Sequence, residues 1–204
     1  GAPVPLAADR KVGFLGKAEY VTGTGAKGWA NRLWFGEFGG MIPVDRSDAR
    51  AAARSLELAQ EHLAGGGAFG IYPEGTRSHD GRLYRGRTGV ARMALSAGAP
   101  VIPVAQWGAQ DVVMPYARRL PRFLPRRTIH VHAGPAVDLS DLYGREVTRE
   151  VANEATDRIM AAITALLEEV RGESAPAVRF DPKAHGLPAI GRYDRTAARR
   201  EARR

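Results

Sequence analysis

Apolar and polar positions along this chain switch between two periods. Short apolar runs at Val12–Leu15, Met41–Val44, Ala68–Tyr72 and Val101–Val104 predict buried strands, and Thr128–His132 alternates with the period of a half-exposed strand. Pro43 sets the second run at an edge or a strand end, because proline lacks the N–H that a central strand must donate. Between these runs the spacing turns helical. Trp29–Phe38 carries Trp29, Leu33, Trp34 and Phe35 at roughly helical intervals. Ser47 is placed to cap a helix over Asp48–Ala64, with Leu56, Ala59 and Leu63 on one side and Gly65–Gly67 as its stop. Thr88–Ala97 predicts another helix, ended by Gly98. The strongest helix is Thr148–Val170, where Val151, Ala155, Ile159, Ile163, Leu166, Leu167 and Val170 form one stripe opposite Glu150, Asp157 and Glu168. Strands alternating with helices predict an α/β fold: a mixed, largely parallel sheet covered by helices. After that helix the periodicity stops, and Pro, Gly, Ala and Arg dominate. The pattern therefore predicts a domain over residues 1–170 and a mobile, basic tail over 171–204.

Composition narrows the setting. The 204 residues carry 30 Lys and Arg against 22 Asp and Glu, a net charge of +8 that favours anionic partners such as phospholipid surfaces, phosphorylated substrates or nucleic acid. Cysteine is absent, which excludes disulfides and permits a reducing compartment. No apolar run reaches the roughly 18 residues that suggest a membrane-spanning helix, and Gly1–Asp9 lacks the features of a signal peptide. No Walker sequence or metal-ligand spacing occurs.

The chemistry concentrates at Pro73-Glu74-Gly75-Thr76-Arg77-Ser78, directly after an apolar strand. Ligands of open α/β sheets sit just beyond strand C-termini, where this loop falls. Gly75 allows a sharp turn and close backbone approach, Arg77 supplies a planar fork of donors for phosphate, and Thr76 and Ser78 add hydroxyls. Exposed N–H groups in such a turn form an anion-binding concavity. Glu74 repels an anion, so its expected task is to fix the loop or Arg77 by hydrogen bonding. A surface turn with incidental charges is the plainer alternative.

That segment resembles the signature block of the glycerolipid acyltransferases, and other blocks resembling the family lie around it in order. Gly40-Met41-Ile42-Pro43-Val44-Asp45-Arg46 resembles the Gly-x-x-x-(Ile/Val)-Asp-Arg element, Phe14-Leu15-Gly16-Lys17-Ala18-Glu19 the segment whose lysine faces the substrate phosphate, and Val101-Ile102-Pro103-Val104 the Val-Pro-Val block. The resemblance, to the 1-acylglycerol-3-phosphate (lysophosphatidate) acyltransferases, covers roughly residues 11–140. It implies that Lys17, Arg46 and Arg77 converge on the acceptor phosphate, with Glu74, Gly75, Thr76 and Ser78 shaping the pocket. For Arg46 an ion pair with Asp45 or Asp48 competes with that role, and for Lys17 a solvated strand end does. The resemblance further implies transfer of an acyl group to the free hydroxyl of a lysophospholipid. The donor is an acyl thioester of coenzyme A or acyl carrier protein, and neither a metal nor an organic cofactor takes part.

The family's general base belongs to a His-x-x-x-x-Asp motif ahead of the lysine block, in which the aspartate orients the imidazole. The five histidines here are His62, His79, His130, His132 and His185, followed five positions later by Gly67, Tyr84, Pro135, Val137 and Ile190. The motif is absent. Two explanations stand: a chain that opens just past the motif, which suits its start at Gly1 rather than Met, or a non-catalytic relative that binds phosphate, lipid or nucleic acid. The first is the expectation, with no catalytic residue in this chain. His79-Asp80 beside Gly81 reads as a turn rather than a substitute base.

Pro115–Arg127 interleaves Arg118, Arg119, Arg122, Arg126 and Arg127 with Tyr116, Leu120, Phe123 and Leu124 and contains no acid. This suits an anionic lipid interface, where each basic residue adds on the order of 1 kcal/mol; a solvated basic loop is the alternative. Nucleic acid is disfavoured, because so few aromatic platforms are present. Trp29, Trp34 and Phe35 could line an acyl groove, although core packing is the more common fate. Gly23-Thr24-Gly25-Ala26-Lys27-Gly28 matches a dinucleotide-binding pattern, but the preceding segment carries Lys17 and Glu19 where a buried strand would be apolar. The expected location is the cytoplasmic membrane face, held peripherally or monotopically.

Overall fold

A computed structural model describes residues 12–17, 41–44, 49–76, 83–112 and 124–181, with backbone alone for 15–17, 41–44 and 49–56. In chain order the elements are β1 (Val12–Lys17), β2 (Met41–Val44), α1 (Ala49–Ala64), β3 (Ala68–Gly70), α2 (Gly89–Ala97), β4 (Val104–Trp107), α3 (Ala109–Val112), β5 (His130–Ala133) and α4 (Arg149–Arg171).

Among the described residues, β2, β1 and β3 form a parallel sheet in that order, and β4 and β5 form an antiparallel pair. Among the described residues β2 is an edge strand of this sheet, opposite Gly16 of β1, which is a position that tolerates Pro43. Parallel order follows from the helix α1, which carries the chain from the end of β2 back to the start of β3. The α/β class expected from the sequence is what the chain adopts.

The run Val101–Val104 was expected to be a strand, yet regular pairing begins only at Val104. Pro103 has no N–H to give a ladder, and Ile102 is exposed. The segment is tied instead through its carbonyls: Gly134 N–H donates to Pro103 O at 2.9 Å and Val137 N–H to Val101 O at 2.9 Å. β3 is likewise shorter than its apolar run, because the chain turns at Tyr72. The segments Trp29–Phe38 and Gly23–Gly28 lie outside the described residues.

The core gathers between α2 and α4. Ala91 and Leu95 of α2 meet Val151, Ala155 and Ile159 of α4, with Leu139 and Leu142 closing the cluster. The stripe in α4 is wider than its seven-residue pattern, since Ala152, Thr156 and Met160 are buried as well. Thr156 satisfies its hydroxyl by donating to Ala152 O at 2.6 Å. Helix α4 starts at an N-cap, Thr148, whose Oγ1 accepts from Val151 N–H at 3.3 Å. It stops at Gly172, whose φ of 65° is left-handed.

The helix α4 ends at Arg171, and the chain beyond it is described as far as residue 181. Residues 172–181 turn back along the domain: Ala175 N–H donates to the Glu168 carboxylate at 2.7 Å, and Arg85 N–H donates to Phe180 O at 3.0 Å. Phe180 forms a parallel bridge with Tyr84, their rings 5.3 Å apart. One aromatic side chain anchors the segment, so no periodic signal announces it. Residues 182–204 lie outside the described part.

Candidate functional site

The three parallel strands bring three separate parts of the sequence to one edge. Lys17 ends β1 opposite Val44, the last residue of β2, and Arg46 follows two residues further along the chain. β3 pairs up to Gly70, opposite Phe14, and then runs on toward the same edge. Neighbouring strands are about 4.8 Å apart, so the ends of β1 and β2 and the loop after β3 are neighbours.

The loop is built as the sequence dictates. Gly75 N–H donates to Tyr72 O at 3.0 Å, closing a four-residue turn over Tyr72-Pro73-Glu74-Gly75. Proline at the second position presets φ, and Gly75 takes a φ of 68° that disfavours other residues. Beside the turn the rings of Phe14 and Tyr72 lie 6.2 Å apart, forming an apolar ledge at the sheet edge.

A second segment, Tyr84–Arg87, is clamped against this turn. Tyr84 N–H donates to Glu74 Oε2 at 2.8 Å, and Arg87 N–H donates to Pro73 O at 2.8 Å. Tyr84 is buried. Behind it the backbone lies flat on α4: a Cβ added at Gly86 would stand 2.6 Å from Met160 Cγ and 2.9 Å from Thr156 Cγ2. The Arg87 side chain runs back over the turn, where a Cβ added at Gly75 would meet Arg87 Nε at 2.9 Å and Cδ at 3.0 Å. Gly75 is thus required twice, for its backbone angle and for this approach.

Burial sets the electrostatics of Glu74. Removal from water lifts its carboxyl from an ordinary value of 4.5 to about 7, against the opposing pull of the Tyr84 N–H. Near neutrality the group is therefore partly uncharged, which lessens its repulsion of an anion.

Of the residues singled out from the sequence, Glu74, Gly75 and Thr76 are together in this loop, and the Lys17 backbone stands at the same sheet edge. Arg46, Arg77 and Ser78 lie outside the described residues, as do Arg118, Arg119, Arg122 and Phe123. Arg126 and Arg127 are exposed on the approach to β5. Arg87, Gly86, Tyr84 and Phe180 escaped the sequence reading. Arg82, Arg85 and Arg87 form a basic run with nothing in their spacing to rank them; only the fold separates Arg85 from Arg87, and Arg82 lies outside the described residues.

Among the described histidines, none adjoins the loop. His62 Nε2 lies 3.1 Å from Ala68 O, and its ring meets Phe69 edge-on. That contact is at the start of β3, near Gly13, about 13 Å along the strand from Lys17 at 3.3 Å per residue. His130 and His132 are exposed on β5. No group of acidic and histidine side chains suited to a metal ion occurs among the described residues, and none of their helices is long and apolar enough to cross a membrane.

The family model described as Acyltransferase matches residues 4–107, which span β1 through β4 and contain this loop. The chain belongs to the acyltransferase family. Its relatives carry the name that the sequence blocks suggested. The chain is 33% identical over 86 residues to 1-acyl-sn-glycerol-3-phosphate acyltransferase BAT2, chloroplastic, of Brassica napus, an overlap of 42% of this chain and 24% of that protein. It is 31% identical over 166 residues to 1-acyl-sn-glycerol-3-phosphate acyltransferase alpha of Ovis aries, covering 78% of this chain and 55% of the relative. Among solved acyltransferases, the 1-acyl-sn-glycerophosphate acyltransferase PlsC from Thermotoga maritima superposes with a TM-score of 0.57 at 22% identity, covering 81% of this chain and 59% of that one. The last likeness is one of fold. The chain thus spans from about a quarter to three fifths of the length of these acyltransferases.

Proposed function

We propose that this chain carries the acceptor-binding part of a 1-acylglycerol-3-phosphate O-acyltransferase, an enzyme that moves an acyl group from a thioester to the free hydroxyl of lysophosphatidate in phospholipid synthesis. The observation that carries the reading is the parallel sheet, which directs the Pro73–Thr76 loop, the end of β1 with Lys17, and the end of β2, which leads to Arg46, out at the same end. In this reading Lys17, Arg46 and Arg77 surround the phosphate, and Thr76, Ser78 and the turn backbone complete its hydrogen bonds. Several cations around one dianion are effective in a partly dry cleft, where their attraction exceeds that in bulk water. The Phe14–Tyr72 ledge then supports the apolar side of the acceptor.

The chemistry follows from the bond changes. A base takes the proton of the acceptor hydroxyl, the oxygen attacks the thioester carbonyl, and the carbon–sulfur bond breaks, the protonated base returning its proton to the departing sulfur to release a thiol. The 204 residues hold no His-x-x-x-x-Asp to act as that base. The donor is acyl-CoA or acyl carrier protein. The basic stretch with Arg118, Arg119, Arg122, Phe123, Arg126 and Arg127 meets the anionic membrane surface from its cytoplasmic side, so that the acceptor need not leave the bilayer.

Transfer from labelled acyl-CoA or acyl carrier protein to 1-acylglycerol-3-phosphate tests this, with the 204-residue chain and with any longer reading frame that contains it. Phosphatidate formation that fails selectively for phosphorylated acceptors in Arg77→Ala supports the reading. Equal losses toward acceptors with and without phosphate contradict it. One other reading is a phosphate-binding module without catalysis; phosphomonoester binding with no transfer in any form of the protein would establish that instead. Tight RNA binding without transfer would remove both.

A further inference from the structure

We propose that Arg87 is a further phosphate-contacting residue of the acceptor site, delivered to it by the Glu74–Tyr84 and Pro73–Arg87 clamps; this rests on the acceptor-phosphate reading of the loop. Three independent features place it there. Its backbone is bonded to the turn itself, through Arg87 N–H to Pro73 O at 2.8 Å. Its side chain lies over that turn, so close to Gly75 that a Cβ there would stand 2.9 Å from Nε and 3.4 Å from Cζ. The stem is held from behind, by Gly86 on Met160 and Thr156 and by buried Tyr84 against Phe180.

An ordinary surface arginine loses much rotamer freedom when it grips a ligand. Arg87 starts with its root fixed and its guanidinium already beside the backbone that would cradle the phosphate, so less ordering remains. The side chain is exposed enough to be reached by a ligand, and it also has a further interaction within the protein at rest, which phosphate oxygens would join or replace. Glu74, the nearest acid along the chain among the described residues, accepts from Tyr84 N–H at its Oε2, and its burial favours the uncharged form. The first turn of α2, which begins two residues later, contains no acid. A phosphomonoester, with three terminal oxygens and up to two negative charges, leaves oxygens and charge for the other cations once the fork is filled, whereas a phosphodiester has two oxygens and one charge.

The test uses the 204-residue chain and phosphatidylcholine vesicles containing 1-oleoylglycerol-3-phosphate, or phosphatidylglycerol at matched surface charge. The readout is the ratio of the two affinities by co-sedimentation, which cancels general attraction to negative surfaces. Arg87→Ala lowers this preference on the order of tenfold, as loss of a charge-assisted hydrogen bond should. Arg87→Lys, which keeps the charge and loses the fork, falls between. Arg145→Ala, an exposed charge elsewhere, leaves the ratio unchanged. Thermal melts confirm folding, and Arg87→Lys serves if the alanine variant does not fold. A preference unchanged in both Arg87 variants overturns this assignment and leaves the acceptor-site reading standing. No preference in the parent chain overturns both.

Discussion

Replacing Glu74 by Gln should make the folded chain more stable above neutral pH and leave it nearly unchanged in acid. The carboxyl titrates at about 7 in the folded chain against an ordinary 4.5. Each tenfold change in proton affinity corresponds to about 1.4 kcal/mol, so folding disfavours the ionised carboxylate by about 3 kcal/mol. Because the folded-state value is the higher one, the native chain holds more protons than the unfolded chain between these two values. Stability therefore falls as pH rises through that window, and the full penalty is present above about 7. Gln keeps an oxygen to accept from Tyr84 N–H, but it has no charge to bury; an unpartnered amide N–H would take back about 1 kcal/mol. Urea denaturation of the parent and Glu74→Gln from pH 4.5 to 8.5 isolates this group, because other titrations cancel in the difference. The variant's advantage should grow by about 3 kcal/mol across the range and level off at its alkaline end. Two parallel stability curves would refute the claim that burial governs this carboxyl.

Gly75→Ala combines a left-handed φ with a Cβ pressed on Arg87, and should destabilise the chain by about 1–3 kcal/mol in chemical denaturation while weakening phosphomonoester binding. Phe180→Ala removes the ring packed on Tyr84; a loss of about 2 kcal/mol or more is expected, with faster hydrogen exchange at the Arg85 amide that Phe180 O accepts. Thr148→Ala removes the side-chain cap of α4 and should lower stability by about 1 kcal/mol without changing vesicle preference.

Much of the scaffold was legible because its causes are local. Met41–Val44 and the α4 stripe announce themselves by period, and Gly98 and Gly172 mark helix ends through left-handed angles that few other residues take readily. The Pro73–Thr76 loop was legible too, since a turn with proline second and glycine fourth states its geometry in the residues themselves. The strand over Val101–Val104 was misplaced for a related reason: apolar character records burial, whereas pairing needs an N–H that Pro103 lacks.

What the chain alone determined, then, is the order of its elements, its acyltransferase blocks and its excess of positive charge, all properties of neighbours in sequence. Tertiary structure decided which groups meet. Glu74 finds Tyr84 ten residues on, Arg87 lies back over Gly75, and Phe180 braces Tyr84 from nearly a hundred residues away. None of these contacts has a period or a spacing rule. They arise because α4 and the parallel sheet press the Tyr84–Arg87 segment against the turn after β3, and only folding brings those surfaces together.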